Sequence, residues 1–297
     1  MHVALTGVSG FIGSVIARHL HRKGHSVTGL IRAASRRDHV EPYVDRFVVA
    51  DQADPAGWGQ LLEGADCVIH NSVDWGPLRD PVDLEAHLRG NLEGSVGLLE
   101  AAAPRQFVFV STIAVHHDIL PRWGGRIDED HPLRPYSLYG AYKAAVEAHL
   151  WSAHHRRDQP TCAVRPCQVY GLDPNLKRST GYAIVNEVRA GGPVRRPGGG
   201  KFVHVEDVAA AVTAAVGNPS AAGTAYNLAD CYARWADLAR MAADLLGVEV
   251  EIDMSSPPAS KNVFAKDAAR ALGVELDRGH EGIRQYLREL IAAMDEN

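Results

Sequence analysis

Met1-His-Val-Ala-Leu-Thr-Gly-Val-Ser-Gly-Phe-Ile-Gly13 opens the chain. Val3 to Leu5 is a short apolar run that reads as a buried strand, and it breaks at Thr6-Gly7. Gly10 and Gly13 follow at three-residue intervals, and Phe11, Ile12, Val15, Ile16 and Leu20 recur at helical spacing up to Lys23, where Gly24 stops the helix. The glycines therefore fall where a strand turns into a helix. Gly7 allows the tight turn, Gly10 lacks the Cβ that would hold a pyrophosphate off the backbone, and Gly13 lets helix and strand pack closely. The first-turn N–H groups and the helix dipole then favour an anion. Strand before and helix after make this a predicted dinucleotide site, with Gly7, Gly10, Phe11, Ile12 and Gly13 against the ligand.

Outward from that turn, apolar runs at Val27 to Ile31, Phe47 to Val49, Cys67 to His70, Phe107 to Val110 and Cys162 to Val164 read as further strands. Helical stretches fall between several of them, at Trp58 to Leu62, Val82 to Ala103 and Tyr136 to His155. This alternation predicts an α/β fold, a Rossmann-type doubly wound parallel sheet with helices on both faces. After Gly171 the pattern loosens. Phe202 to Val205 and Ala225 to Leu228 read as strands, and Val208 to Val216, Leu238 to Leu246 and Ile283 to Met294 as helices. The expected organisation is a dinucleotide-binding domain over 1–171. Residues 172–297 would form mainly a small C-terminal substrate lobe over the carboxyl edge of the sheet, with some segments returning to the first domain.

The 297 residues are 46% hydrophobic and 23% charged, with net charge −5, an ordinary globular balance. Arg32, Arg36, Arg37, Arg156, Arg157, Arg195 and Arg196 form no long tract, which argues against nucleic acid as a partner. No apolar run reaches membrane-spanning length and the N-terminus has no basic lead, so neither a signal peptide nor a membrane span is expected. Four cysteines (67, 162, 167 and 231) show no C-x-x-C spacing, and a reducing cytoplasm is the natural compartment. Histidines are frequent but none forms H-E-x-x-H, and no metal is expected. No G-x-S-x-G elbow occurs, which disfavours a serine hydrolase.

Tyr139 and Lys143 are four apart on a predicted helix and share a face. A free tyrosine, with a pKa of about 10, is a poor base at neutral pH. A nearby ammonium favours the phenolate, so the pair could pass a proton during hydride transfer; a surface lysine beside a half-buried tyrosine would share the same spacing. Phe107-Val-Phe-Val-Ser-Thr112 is a strand whose end delivers two hydroxyls to the sheet edge, for a substrate oxygen or for a local turn.

Together these stretches resemble the extended short-chain dehydrogenase/reductase family, which contains the NAD-dependent epimerases and dehydratases. Thr6-Gly7-x-x-Gly10-x-x-Gly13 is similar to its glycine motif, Tyr139-x-x-x-Lys143 to its catalytic pair, and Val110-Ser-Thr-Ile-Ala-Val115 to its hydroxyl strand. Gly90-Asn-Leu-Glu-Gly94, Asp128 to Pro135, Val164 to Gly171 and Phe202 to Val208 resemble further segments in family order. The resemblance implies Tyr139 as acid/base, Lys143 lowering its pKa and holding the nicotinamide ribose, and Thr112 binding the reacting oxygen, with Ser111 just before it. It also implies cofactor contacts at Asp51, Gln52, Asn71, Ser72, Pro166 and Val169, although Asn71-Ser72 departs from the usual Leu-Ala after His70.

Other departures narrow the activity. The second strand ends in Arg32 with Arg36 and Arg37 close behind, where NAD-preferring members carry an acid, so NADP(H) is expected over NAD(H). Ile113-Ala114 follows Thr112 where dehydratases carry Asp-Glu. Gln168 stands where many epimerases have Asn, and Lys201 where Arg is common. Trp75, Trp123, His116 and His117 could line the substrate pocket or pack the lobes. The expectation is a dimeric NAD(P)-dependent oxidoreductase acting on a secondary alcohol or ketone of a sugar-like or nucleotide-sugar substrate, leaning to NADPH-dependent reduction. The alternatives are an epimerase with tightly bound NAD and a non-catalytic dinucleotide sensor or assembly protein.

Overall fold

The computed structural model describes residues 1–296. Its core is a seven-stranded sheet built from β1 (His2–Thr6), β2 (Ser26–Ile31), β3 (Arg46–Val49), β4 (Cys67–His70), β5 (Gln106–Val110), β7 (Thr161–Pro166) and β10 (Thr224–Leu228). The strand order is β10-β7-β5-β4-β1-β2-β3 and every pairing is parallel. The order reverses beside β1, and the crevice at that reversal is where doubly wound sheets hold ligands. The short pair β6 (Arg126–Ile127) and β12 (Val263–Phe264) lies apart from this sheet.

Period-two alternation sorts the strand side chains onto two cores. Val3, Leu5, Val108 and Val110 face one side, packed with Val15, Ile16 and Leu20 of α1 (Phe11–Arg22) and Val208 and Val212 of α7 (Val205–Ala215). Ala4, Phe107 and Phe109 face the other, against α2 (Pro55–Leu62), α4 (Gly94–Ala101) and α5 (Leu138–Arg157). So α7 and β10, both from the second half of the chain, complete the first-half sheet.

A third core belongs to the lobe. There α6 (Tyr182–Arg189), α8 (Trp235–Leu246) and α10 (Gly279–Asp295) pack around Tyr170, Phe202 and Tyr286. They flank a small sheet in the order β11 (Cys231–Arg234), β9 (Gly199–His204), β8 (Gln168–Tyr170). The short α9 (Asp267–Ala271) connects back to the sheet edge. Among the described residues no helix is long and apolar enough to cross a membrane.

Two expected helices differ in detail. The stretch expected over 82–103 is α3 (Leu84–His87), a π-helical segment Leu88–Glu93, and then α4. The wider turn swings Asn91 into the interior, where its amide accepts from Asp74 N at 2.8 Å and donates to Asp74 O at 2.8 Å. The stretch expected from Tyr136 begins at Leu138, because Ser137 caps it by accepting from Gly140 N at 3.0 Å.

The opening turn is built as tightly as its glycines require. Gly7 has φ +67°. A Cβ on Gly13 would lie 2.0 Å from Gly7 O, a backbone atom that cannot swing aside. Gly13→Ala should therefore lower the melting temperature by several degrees and weaken dinucleotide binding at least tenfold, measured by thermal unfolding and by titration; an unchanged affinity would refute the close-packing account.

Candidate active site

The carboxyl ends of β1, β4 and β5 and the first turns of α5 converge at the crevice. At Gly10 a Cβ would meet only Gly7 O, at 3.2 Å, and at Gly7 it would meet Ser72 Cα at 3.0 Å. The turn is therefore a bare backbone cradle at the start of a helix, which fits a pyrophosphate. The loop after β4 is pinned to it. Thr6 Oγ1 accepts from Asn71 N at 3.0 Å and from Ser72 N at 3.2 Å, and lies 2.8 Å from His70 Nδ1. His70 is buried, and desolvation together with the neighbouring Lys143 ammonium pushes its pKa down to about 3.

Three consecutive residues at the end of β5 meet three residues spaced by four on α5. Lys143 is 1% exposed, and its Nζ donates to Val110 O at 2.6 Å. It sits 4.3 Å from the Phe109 ring centre and 5.2 Å from that of Tyr142. Ser111 donates its hydroxyl to Glu147. The Thr112 hydroxyl caps a short turn, accepting from Ala114 N at 3.1 Å, and hydrogen-bonds Tyr139. The expected catalytic trio is thus brought together.

The electrostatics differ from the expectation for the tyrosine. Burial pushes Tyr139 up to about 12, and only Thr112 opposes it; Lys143 does not depress it in this state. Burial pushes Lys143 itself down to about 7, against the pull of the Glu147 carboxylate. The reason is directional: the ammonium is turned to the Val110 carbonyl and the aromatic faces beneath the helix. The Trp75 indole adds to the desolvation by stacking on the Tyr139 ring, with centroids 4.8 Å apart and planes at 28°.

The other expected residues take varied places. Trp75, 47% exposed, lines a cavity of about 490 Å³ with Leu78, Arg79, Val82, Ser137, Leu138 and Tyr139. Asp51 is exposed, whereas Gln52 is buried and donates to Gly90 O at 3.0 Å and to Asn91 at 3.1 Å, so it ties the loop after β3 to the π-helical segment. Arg32 is exposed directly after β2, while Arg36 pairs with Asp38 at 3.0 Å. Ser111 is buried with its hydroxyl committed to Glu147, Pro166 ends β7, and Val169 is half-buried in β8.

His116 does not line the cavity. It is buried against Arg165, His131 and Phe264, and desolvation with the Arg165 charge takes it down to about 3. Gln168 is exposed at the lobe sheet, and Lys201 lies 5.6 Å from the Phe264 ring. Trp123 packs on His131 in an edge-on contact, and His117 stacks on the exposed Tyr136. Asn91 and Arg165 fall in segments quoted above for their resemblance but were given no role there, and Glu147 was missed. For Glu147 a signal existed, because it lies four residues beyond Lys143 on the same helix face.

With that geometry in view, the comparisons are specific. The model of the NAD dependent epimerase/dehydratase family matches residues 3–229. The UDP-glucose 4-epimerase of Mycolicibacterium smegmatis is 30% identical over 243 residues, 77% of each chain. The low-salt glycan biosynthesis protein Agl12 of Haloferax volcanii is 32% identical over 181 residues, and the match spans 58% of this chain and 57% of that one. The Thermus thermophilus UDP-glucose 4-epimerase, solved with NAD, superimposes with a TM-score of 0.77 at 26% identity, covering 99% of this chain and 100% of that one. Dehydratases and reductases are also among the relatives.

Removing the Trp75 indole re-exposes the tyrosine. In Trp75→Ala the Tyr139 transition should move down from about 12 towards the ordinary value near 10. Phenolate absorbance across an alkaline titration, with Tyr139→Phe as the blank, reads this directly; an unmoved transition would mean that Trp75 does not shield Tyr139.

Proposed function

This chain belongs to the NAD dependent epimerase/dehydratase family, and on that premise we propose that it catalyses NADPH-dependent reduction of a ketone on a sugar-like or nucleotide-sugar substrate. The observation that carries this reading is the meeting of Thr112, Tyr139 and Lys143 at the carboxyl edge of the sheet, beside the bare glycine turn. The dinucleotide, when bound, supplies the hydride. Thr112 holds the carbonyl oxygen and Tyr139 delivers the proton to it. Lys143 stabilises the phenolate left behind and takes up the ribose.

Three further observations support the finer reading. Arg32, exposed at the end of β2, suits a 2′-phosphate better than a bare ribose. Ile113-Ala114 after Thr112 supplies no acid for elimination, which favours simple hydride transfer over dehydration. The cavity beside Tyr139 carries Trp75, Leu78, Val82 and Leu138, with Arg79 for an anionic substituent. Gln168 and Lys201 are the lobe residues we assign to the rest of the substrate. Epimerisation with retained NAD is the second reading, favoured by the match to the mycobacterial UDP-glucose 4-epimerase. A homodimer through α3–α5 fits the exposed Leu84 and Leu88.

Tyr139→Phe should lower kcat by about 10²–10⁴-fold while dinucleotide affinity holds. Unimpaired turnover would sink the assignment, and preserved biological function without turnover would favour a sensor. Arg32→Ala should weaken NADPH severalfold and leave NADH unchanged. Tight NAD released from denatured protein would instead support epimerisation.

A further inference from the structure

The catalytic trio uses neither Glu147 nor Arg165, yet these are among the most completely buried charged groups in the molecule, at 0% and 2% exposure. Arg165, on β7, grips the carboxylate through Nε at 3.1 Å to each oxygen and through Nη2 at 2.6 Å. The same carboxylate takes the Ser111 hydroxyl, and Glu147 stands one helical turn beyond Lys143. Arg165 thus holds the buried carboxylate directly, and Lys143 lies one helical turn from it, within reach of its charge. A pair of this kind is a costly way to hold two elements together, since apolar side chains of equal volume do so as well or better. What apolar side chains cannot supply is a counter-charge for Lys143 and an acceptor for Ser111.

We propose that Glu147 is a positioning residue of the active site: its carboxylate balances the buried Lys143 ammonium and, through Ser111, fixes the strand end that presents Thr112 to Tyr139. The proposal rests on the reading of Tyr139, Thr112 and Lys143 as the reacting set. The groups facing Lys143 are His70 from β4, the Val110 carbonyl and Phe109 from β5, and Tyr139, Tyr142 and Glu147 from its own helix, with Arg165 from β7 on the Glu147 carboxylate. Of these only Glu147 favours the charged form by its own charge, because His70 is held neutral and Arg165 is a cation. Arg165 in turn reaches His116 Nε2 at 3.3 Å and the Glu129 carbonyl at 3.5 Å, so the carboxylate is braced from a second strand. Removing it leaves two like charges buried, and the lysine must shed its proton more readily.

The test needs no substrate. The chain has six lysines, so ¹³C labelling at lysine Cε gives few signals, and Lys143→Arg identifies the one of interest. In Glu147→Gln the Lys143 titration midpoint should fall by at least half a pH unit relative to the parent protein, and Glu147→Asp should restore most of it. An identical midpoint in Glu147→Gln overturns the proposal. If that variant does not fold, the paired change Glu147→Leu with Arg165→Met removes the anion without leaving Arg165 unpaired, and a fall in the same direction, smaller because the Arg165 cation is gone too, is expected; an unmoved midpoint overturns the proposal. Once a carbonyl substrate is in hand, Glu147→Gln should lose at least tenfold in kcat with less than a twofold change in KM for the dinucleotide. A lysine shift without any turnover would leave this inference standing and defeat the reductase reading instead.

Discussion

The zipper between the end of β5 and the first turns of α5 is the constraint on which the site depends. Val110, Ser111 and Thr112 are consecutive where β5 ends, so their polar groups point in different directions from one short stretch of backbone. Tyr139, Lys143 and Glu147 are spaced by four on a helix, so they rise along a single face. Matching the two sets turns a helix–strand contact into three specific ties: ammonium to carbonyl, hydroxyl to carboxylate, and hydroxyl to phenol. A helix rotated or slid by one residue would break all three, which makes the geometry of these groups a property of the packing.

Burial sets the chemistry of that zipper. Desolvation raises the tyrosine and lowers the lysine, so both groups are pushed away from their charged forms before any ligand arrives. The unliganded site therefore holds Tyr139 as a proton donor, capped by Trp75, above a lysine poised near neutrality. Breaking a buried charge pair typically costs about 3–5 kcal/mol, against about 0–1 kcal/mol for an exposed one. The contrast separates Glu147–Arg165 from the pair Arg36–Asp38, which lies open to solvent and adds little to the fold.

Much of this was legible beforehand because it depends on local pattern. The strand–turn–helix of the first thirteen residues is written in glycine spacing, and the Gly13 contact with Gly7 O is the physical fact behind it. Short apolar runs between helical stretches located the strands, and the i, i+4 spacing put Tyr139 and Lys143 on one face. What stayed hidden was whatever required knowing which element lies beside which. His116 could be read as a pocket residue or as packing, and the turn after Thr112 decides it by carrying the ring back under Arg165. The tie of Gln52 to Gly90 and Asn91 was equally out of sight, because it needs the π-turn of 88–93 to lie over the loop after β3.

The sequence by itself determined the parallel α/β alternation, the glycine turn and the placing of Tyr139 and Lys143 on one helix face, because each follows from the short-range geometry of a strand or a helix. Tertiary structure alone decided that β10 and α7 return to complete the sheet, that Trp75 covers Tyr139, and that Lys143, Arg165 and Glu147 share one buried site. Those outcomes come from contacts between residues distant in the chain, whose energies depend on dielectric and direction. Neither quantity is defined until the chain has folded.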